Sequence, residues 1–161
     1  MMYGAGDEKL GKTAGGGAAR GADIKAAFLE ANPAYAQLVE ELTEAYQANG
    51  GWIPSIDGRP LYPKSKKDTL NTKIQGDCAV LFKHWMVMVN KLQDVKLGYA
   101  HQMVAYHDEL QFAYYQYDAE FQPECFGQRV VQCAVLTGEQ FGLNVPLDAE
   151  YKVGFNYAAC H

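Results

Sequence analysis

Three consecutive residues in this 161-residue chain have side chains suited to chemistry, namely His107, Asp108 and Glu109. Apolar, β-prone residues lead into them (Met103, Val104, Ala105, Tyr106), and Leu110, Gln111, Phe112, Ala113, Tyr114 and Tyr115 lead away. Two strand-like runs meeting at a charged tip predict a β-hairpin over residues 103–115. The Asn-Gly turn signal is absent, and turn chemistry alone favours Gly, Asn or Pro at such a tip. A different demand therefore selected two adjacent carboxylates and an imidazole. Hard carboxylate oxygens suit a divalent cation, and the expectation from the residues alone is that Asp108 holds one.

Other residues could serve a ligand. Asn71 and Gln75 lie four apart near the start of a long helical pattern and so fall on one side of it. Two aligned amides could read acceptors along a groove edge of a duplex, or cap neighbouring backbone. Lys64, Lys66 and Lys67, with Lys73 beyond, form a basic cluster just before them. It could meet phosphate or be a solvated loop and helix start. Gly6-x4-Gly11-Lys12-Thr13 spells a phosphate-loop pattern letter for letter. That loop must follow a buried strand, and only five residues precede Gly6, so helix and turn glycines are the preferred reading.

The elements that must position these groups follow from periodicity. Residues 21–49 read as helical, interrupted and restarted at Asn32-Pro33, where proline suits a first helical turn. Residues 52–63 predict a short hairpin turning at Asp57-Gly58-Arg59. Asp68 to about Lys96 is the longest helix expected, and residues 122–143 form another, with Pro123 near its start. Glu150–Phe155 alternates like a final strand. The fold class predicted is α+β, with helices packed around a small antiparallel sheet that presents the acidic hairpin.

Composition bounds the function. An apolar fraction of 48% and a charged fraction of 20% are those of a soluble globular chain of one modest domain. The net charge of −5 is uneven. Residues 1–97 carry 12 of the 14 Lys and Arg against 11 acidic residues, whereas residues 98–161 carry 2 basic and 8 acidic ones. An acidic C-terminal third could attract cations while basic residues elsewhere meet phosphate. Cys78, Cys125, Cys133 and Cys160 contain no Cys-x-x-Cys pair, which disfavours a zinc site and suggests reduced thiols. No signal peptide or long apolar run is evident, so a soluble, cytoplasmic protein without membrane contact is expected.

Taken in order, Tyr3-Gly-Ala-Gly-Asp-Glu-Lys9, Asp57-Gly-Arg59, Leu70-Asn-Thr-Lys-Ile-Gln75, His107-Asp-Glu109 and the terminal Cys160-His161 resemble the C-terminal part of family A (Pol I-like) DNA polymerases. The polymerases of short-tailed bacteriophages look most similar, and the resemblance covers essentially the whole chain. It implies that residues 1–50 are the end of the fingers helix and the helices that follow, and that residues 51–161 are the C-terminal palm segment with the hairpin. Tyr3 would stack on the template and Gly6 would lie where the templating strand passes. Asn71 and Gln75 would contact the primer–template minor groove, whose acceptors are similar in every base pair. Lys67 stands where many relatives carry arginine, keeping a cation without its bidentate fork, and Arg59 matches a basic residue near DNA.

The same resemblance makes His107, Asp108 and Glu109 catalytic. Asp108 would be one of two aspartates bridging a pair of Mg²⁺ ions, Glu109 an accessory ligand, and His107 a neighbour of the primer terminus. His161 would fold back towards the palm in an open role. The family's other metal-binding aspartate, the fingers residues that grip the dNTP, the thumb and the exonuclease domain have no counterpart here. Asp7, Asp57 and Asp77 lack the context to substitute for that aspartate. The expectation is a C-terminal subunit or fragment, inactive alone and active with an N-terminal polymerase polypeptide, primer–template DNA and dNTP. If phage-encoded, it would work in the host cytoplasm. The alternatives are a non-catalytic module that binds primer–template or another replication protein, and a small acidic helical interaction protein.

Overall fold

The structure is a computed structural model and describes residues 6–115 and 122–160. It is α+β, as predicted, with seven helices and two antiparallel two-stranded sheets among the described residues. The chain forms two compact units, residues 1–78 and 79–161.

The first unit begins with α1 (Asp7–Thr13) and α2 (Ala18–Ala31), which cross backbone on backbone. A Cβ at Gly21 would stand 1.8 Å from the Asp7 carbonyl oxygen, and one at Gly11 would stand 2.0 Å from that of Gly17. Only hydrogen fits at such a crossing. Gly11 of the pattern that imitates a phosphate loop is thus a helix contact, and Gly6 is the N-cap of α1. Lys12 pairs with Glu8 at 2.8 Å, and the Thr13 hydroxyl donates to the Lys9 carbonyl.

Pro33 opens α3 (Pro33–Ala48) at its first turn, at the predicted interruption. That helix stops where Gly50 takes a φ of 71° and the Gly51 N–H donates back to the Tyr46 carbonyl, a glycine C-cap. Strands β1 (Ile53–Pro54) and β2 (Pro60–Leu61) form the predicted short hairpin. Leu42, Ile53 and Leu70 make the core of this unit, ringed by Tyr35, Val39, Tyr46, Leu61 and Ile74.

A single 3₁₀ turn (Lys66–Asp68) leads into α4 (Thr69–Val89), which is shorter than the sequence suggested. The chain leaves the helix at Asn90, and a separate short α5 (Gln93–Lys96) follows. Leu92 in extended backbone separates the two.

In the second unit β3 (Ala100–Tyr106) pairs antiparallel with β4 (Glu109–Tyr114), and α6 (Pro123–Gln140) packs against them. Val89, Ala100, Phe126, Val130 and Cys133 are buried together, with Trp85, Met88, Leu110, Phe112 and Tyr114 packed around them. Burying a side chain such as Phe126 is worth about 1.5–3 kcal/mol. The Trp85 indole donates to the Val130 carbonyl at 2.8 Å, so a large apolar ring enters the core with its polar atom satisfied.

One expectation is overturned. Glu150–Phe155 forms no β-ladder with any described residue, and the short α7 (Tyr157–Cys160) follows it. Its alternating apolar residues do not share a buried face. Tyr151 covers Gly127 of α6, where a Cβ would come within 2.3 Å of the ring, while Val153 and Phe155 face solvent.

Candidate nucleic-acid and metal site

The hairpin tip is a two-residue turn, His107-Asp108, closed by the pair Tyr106 and Glu109. His107 adopts φ 52°, the only positive φ of a non-glycine residue among those described. A left-handed residue at the first turn position matches the twist of a hairpin but normally favours glycine there. The His107 ring lies edge-on to Tyr106, with centroids 4.2 Å apart. His107 and Asp108 are exposed and Glu109 is half-buried. One Glu109 carboxylate oxygen accepts a 2.7 Å hydrogen bond from the Gln111 amide, two residues along β4.

The hairpin is fixed at its other end. Ala100 is fully buried, and Phe112 and Tyr114 lie with ring centroids 5.1 and 5.5 Å from Phe126. The Tyr99 N–H donates to the Asp94 carbonyl, and the Tyr99 carbonyl accepts from Tyr115. The Asp94 side chain, 1% exposed, is held by the Arg129 guanidinium of α6. The carboxylates thus project from a packed base.

The other predicted ligand-binding residues belong to the first unit. Asn71 is half-buried and Gln75 exposed on α4, and Lys67 is exposed in the turn that precedes it. Gly6 is the N-cap residue just before α1. Arg59 is exposed but engaged, for its guanidinium meets Asp57 at 2.5 and 2.7 Å. The hydrogen bond from the Arg59 side chain is the main cause that holds the Asp57 carboxyl below the usual aspartate range. Tyr3 and His161 lie outside the described residues.

Three other aspartates serve the fold. Asp77 accepts from the Ser55 hydroxyl and the Ile56 N–H while pairing with Lys73, Asp57 is tied to Arg59, and Asp7 faces Lys25 at 3.7 Å. Sequence reasoning missed Gln111 and Arg129 as supports of the hairpin. Each carried a signal: Gln111 is a polar residue within an apolar strand, and Arg129 is one of two basic residues in the acidic third.

Among the described residues no three His, Cys, Asp or Glu side chains converge to hold a metal ion. Mg²⁺ is commonly bound through one or two carboxylates, water and substrate phosphates. An exposed aspartate beside a second carboxylate therefore fits part of such a site.

The profile of DNA polymerase family A matches residues 1–159. The chain belongs to DNA polymerase family A. Relatives agree along its whole length. It is 32% identical to a DNA-directed DNA polymerase of Escherichia phage T7 and 33% identical to that of Enterobacteria phage T3, in each case over 100% of this chain. A DNA-directed DNA polymerase of Escherichia phage Phieco32 is 31% identical over 99% of the chain. The family A chain spans only about a quarter of the length of these relatives, 25–26%. No helix among its described residues is long and apolar enough to cross a membrane.

Proposed function

We propose that this chain supplies one part of a template-directed DNA polymerase, carrying one metal-binding aspartate and a set of primer–template contacts. The observation that supports this most is the exposed Asp108 turn, held out by a packed hairpin base, in a chain that matches family A throughout. Residues 51–161 would be palm and residues 1–50 the end of the fingers. The relatives' names state DNA-directed DNA polymerase, and this chain spans a quarter of them. The remaining polymerase, including a second aspartate, would come from a partner polypeptide.

Asp108, with Glu109 beside it, would hold Mg²⁺ shared with that partner. The bound ion supplies neutralisation of charge developing on the transferring phosphoryl group. Gln111 restricts the Glu109 carboxylate through its 2.7 Å hydrogen bond, so that oxygen is oriented before any ligand arrives. His107 would face the primer terminus from the rim of the turn. Asn71 and Gln75 would donate to minor-groove acceptors, testing pair shape without reading sequence. Tyr3 would stack on the template beside Gly6. Lys67 would contact phosphate, as would Arg59 once exchanged from Asp57.

The test mixes the purified chain with a polypeptide carrying the rest of a phage-type polymerase and follows primer extension. Mg²⁺-dependent extension is expected only from the mixture. Asp108→Ala should lower kcat by on the order of 10²-fold or more while primer–template affinity changes little. An inactive mixture, or full activity of Asp108→Ala, overturns the reading. Retained DNA affinity without extension would instead indicate a binding module.

A further inference from the structure

The ladder between β3 and β4 contains a break in register. Tyr106, Ala105 and Val104 stand opposite Glu109, Leu110 and Gln111, whereas Gln102, His101 and Ala100 stand opposite Phe112, Ala113 and Tyr114. Met103 therefore faces no residue of β4 and is an extra residue in β3, while β4 runs on without interruption. One extra residue in one strand of an antiparallel pair bends that strand and increases its twist.

We propose that this one-residue bulge aims the carboxylate turn, making Met103 a positioning residue for Asp108; the proposal rests on the reading of Asp108 as a metal ligand. The core-facing side chains on the base side of the bulge are anchored. Ala100 is buried, the Gln102 side chain contacts Asn90 and Met86 of the neighbouring helix segment, and Phe112 and Tyr114 pack on Phe126. On the tip side Leu110 alone packs on the core, and Val104, Tyr106, His107 and Asp108 are all exposed. A bend between an anchored base and an exposed tip is carried outward to the turn.

The bulge also changes which side chains share a face. Leu110, Phe112 and Tyr114 pack towards the core, so their partners Ala105, Gln102 and Ala100 lie on that face. Were Met103 instead paired in regular register, simple alternation from Ala100 would put Val104 and Tyr106 there. The bulge places Tyr106 on the outward face with Glu109 and Gln111, beside His107. The Met103 side chain is 67% exposed, so the added backbone is the active feature.

This gives a clean variant. Deleting Met103 joins Gln102 to Val104 and keeps every cross-strand pair, the turn and the core face, removing only the bend. Residual dipolar couplings measured on the chain by NMR should show the amide vectors of 104–111 reoriented relative to those of 100–102 and 112–114. Unchanged relative orientation overturns the proposal. In the reconstituted polymerase the deletion should lower kcat by about 10²-fold, the scale expected for a displacement near 1 Å. Primer–template Kd and the thermal midpoint of the chain should be retained. Met103→Ala, which keeps the backbone residue, should stay within about twofold of wild type, a difference that a packing role would not produce. A deletion variant as active as wild type, in a mixture where Asp108→Ala is inactive, also overturns the proposal. A wild-type mixture that fails to extend primer counts against the polymerase reading alone, and the dipolar couplings still decide the bend.

Discussion

At the scale of single residues, the hairpin tip departs from what backbone preference would choose. A non-glycine residue in the left-handed region costs about 1–2 kcal/mol, and His107 sits there at φ 52°. His107→Gly should therefore leave stability unchanged or raise it by about 1 kcal/mol, whereas the β-branched His107→Val should lower it by about 1–2 kcal/mol. Urea unfolding of both variants measures the contrast, and a glycine variant less stable than the valine variant would refute the strain. The same position shows what was legible beforehand. The charged turn marked the site because its residue types contradict turn chemistry, but which of the two residues would be left-handed depends on the ladder that closes around them. The thiols give a second residue-scale prediction. Cys78 and Cys125 are exposed, whereas Cys133 is buried and burial pushes its thiol above the usual range near 9. Maleimide at neutral pH should label Cys78 and Cys125 first and Cys133 only on unfolding, as read by mass spectrometry. The folded chain favours the neutral Cys133 thiol. That contribution is complete below the unfolded thiol's pKa and is lost as pH rises through the higher folded one.

Elements reveal how tertiary contacts settle what periodicity leaves open. The longer helices α2, α3 and α6, the proline restart at Pro33 and both hairpins could be read from spacing and punctuation, because each is specified locally. The end of α4 at Val89 and the separation of α5 could not, since the apolar pattern runs on through Leu92 and Val95 into the same core. Alternation misled at 150–155 for a related reason. A period of two predicts one covered face, yet here Tyr151 lies over Gly127 while Val153 and Phe155, in phase with it, face solvent. Two element-scale predictions follow from the closest contacts. Gly21→Ala would drive a methyl into the Asp7 carbonyl and should cost about 1–3 kcal/mol by overpacking. Removing the guanidinium that holds buried Asp94 leaves a carboxylate without its partner, so Arg129→Ala should destabilise the second unit by about 3 kcal/mol. Asp94→Asn combined with Arg129→Ala should recover part of that loss. Thermal and urea unfolding test both, and an Arg129→Ala chain as stable as wild type would show that water already screens the pair.

For the whole molecule, the candidate chemistry is divided between the two units. Lys67, Asn71 and Gln75 lie in the first unit and the acidic turn in the second, and the described residues contain no assembled metal cluster. The chain spans about a quarter of the length of the relatives it matches. The stretch at 151–155 has a consequence for the chain in solution. Val153 and Phe155 present apolar side chains to water from a segment that joins no sheet among the described residues, a surface that can meet another copy. Sedimentation velocity should show self-association that grows with protein concentration, and Phe155→Lys should suppress it without lowering the unfolding midpoint. Two copies that met along this stretch would hide the same surface from any other partner. Dilution, rather than a change of salt or pH, should then be what makes the chain available for assembly.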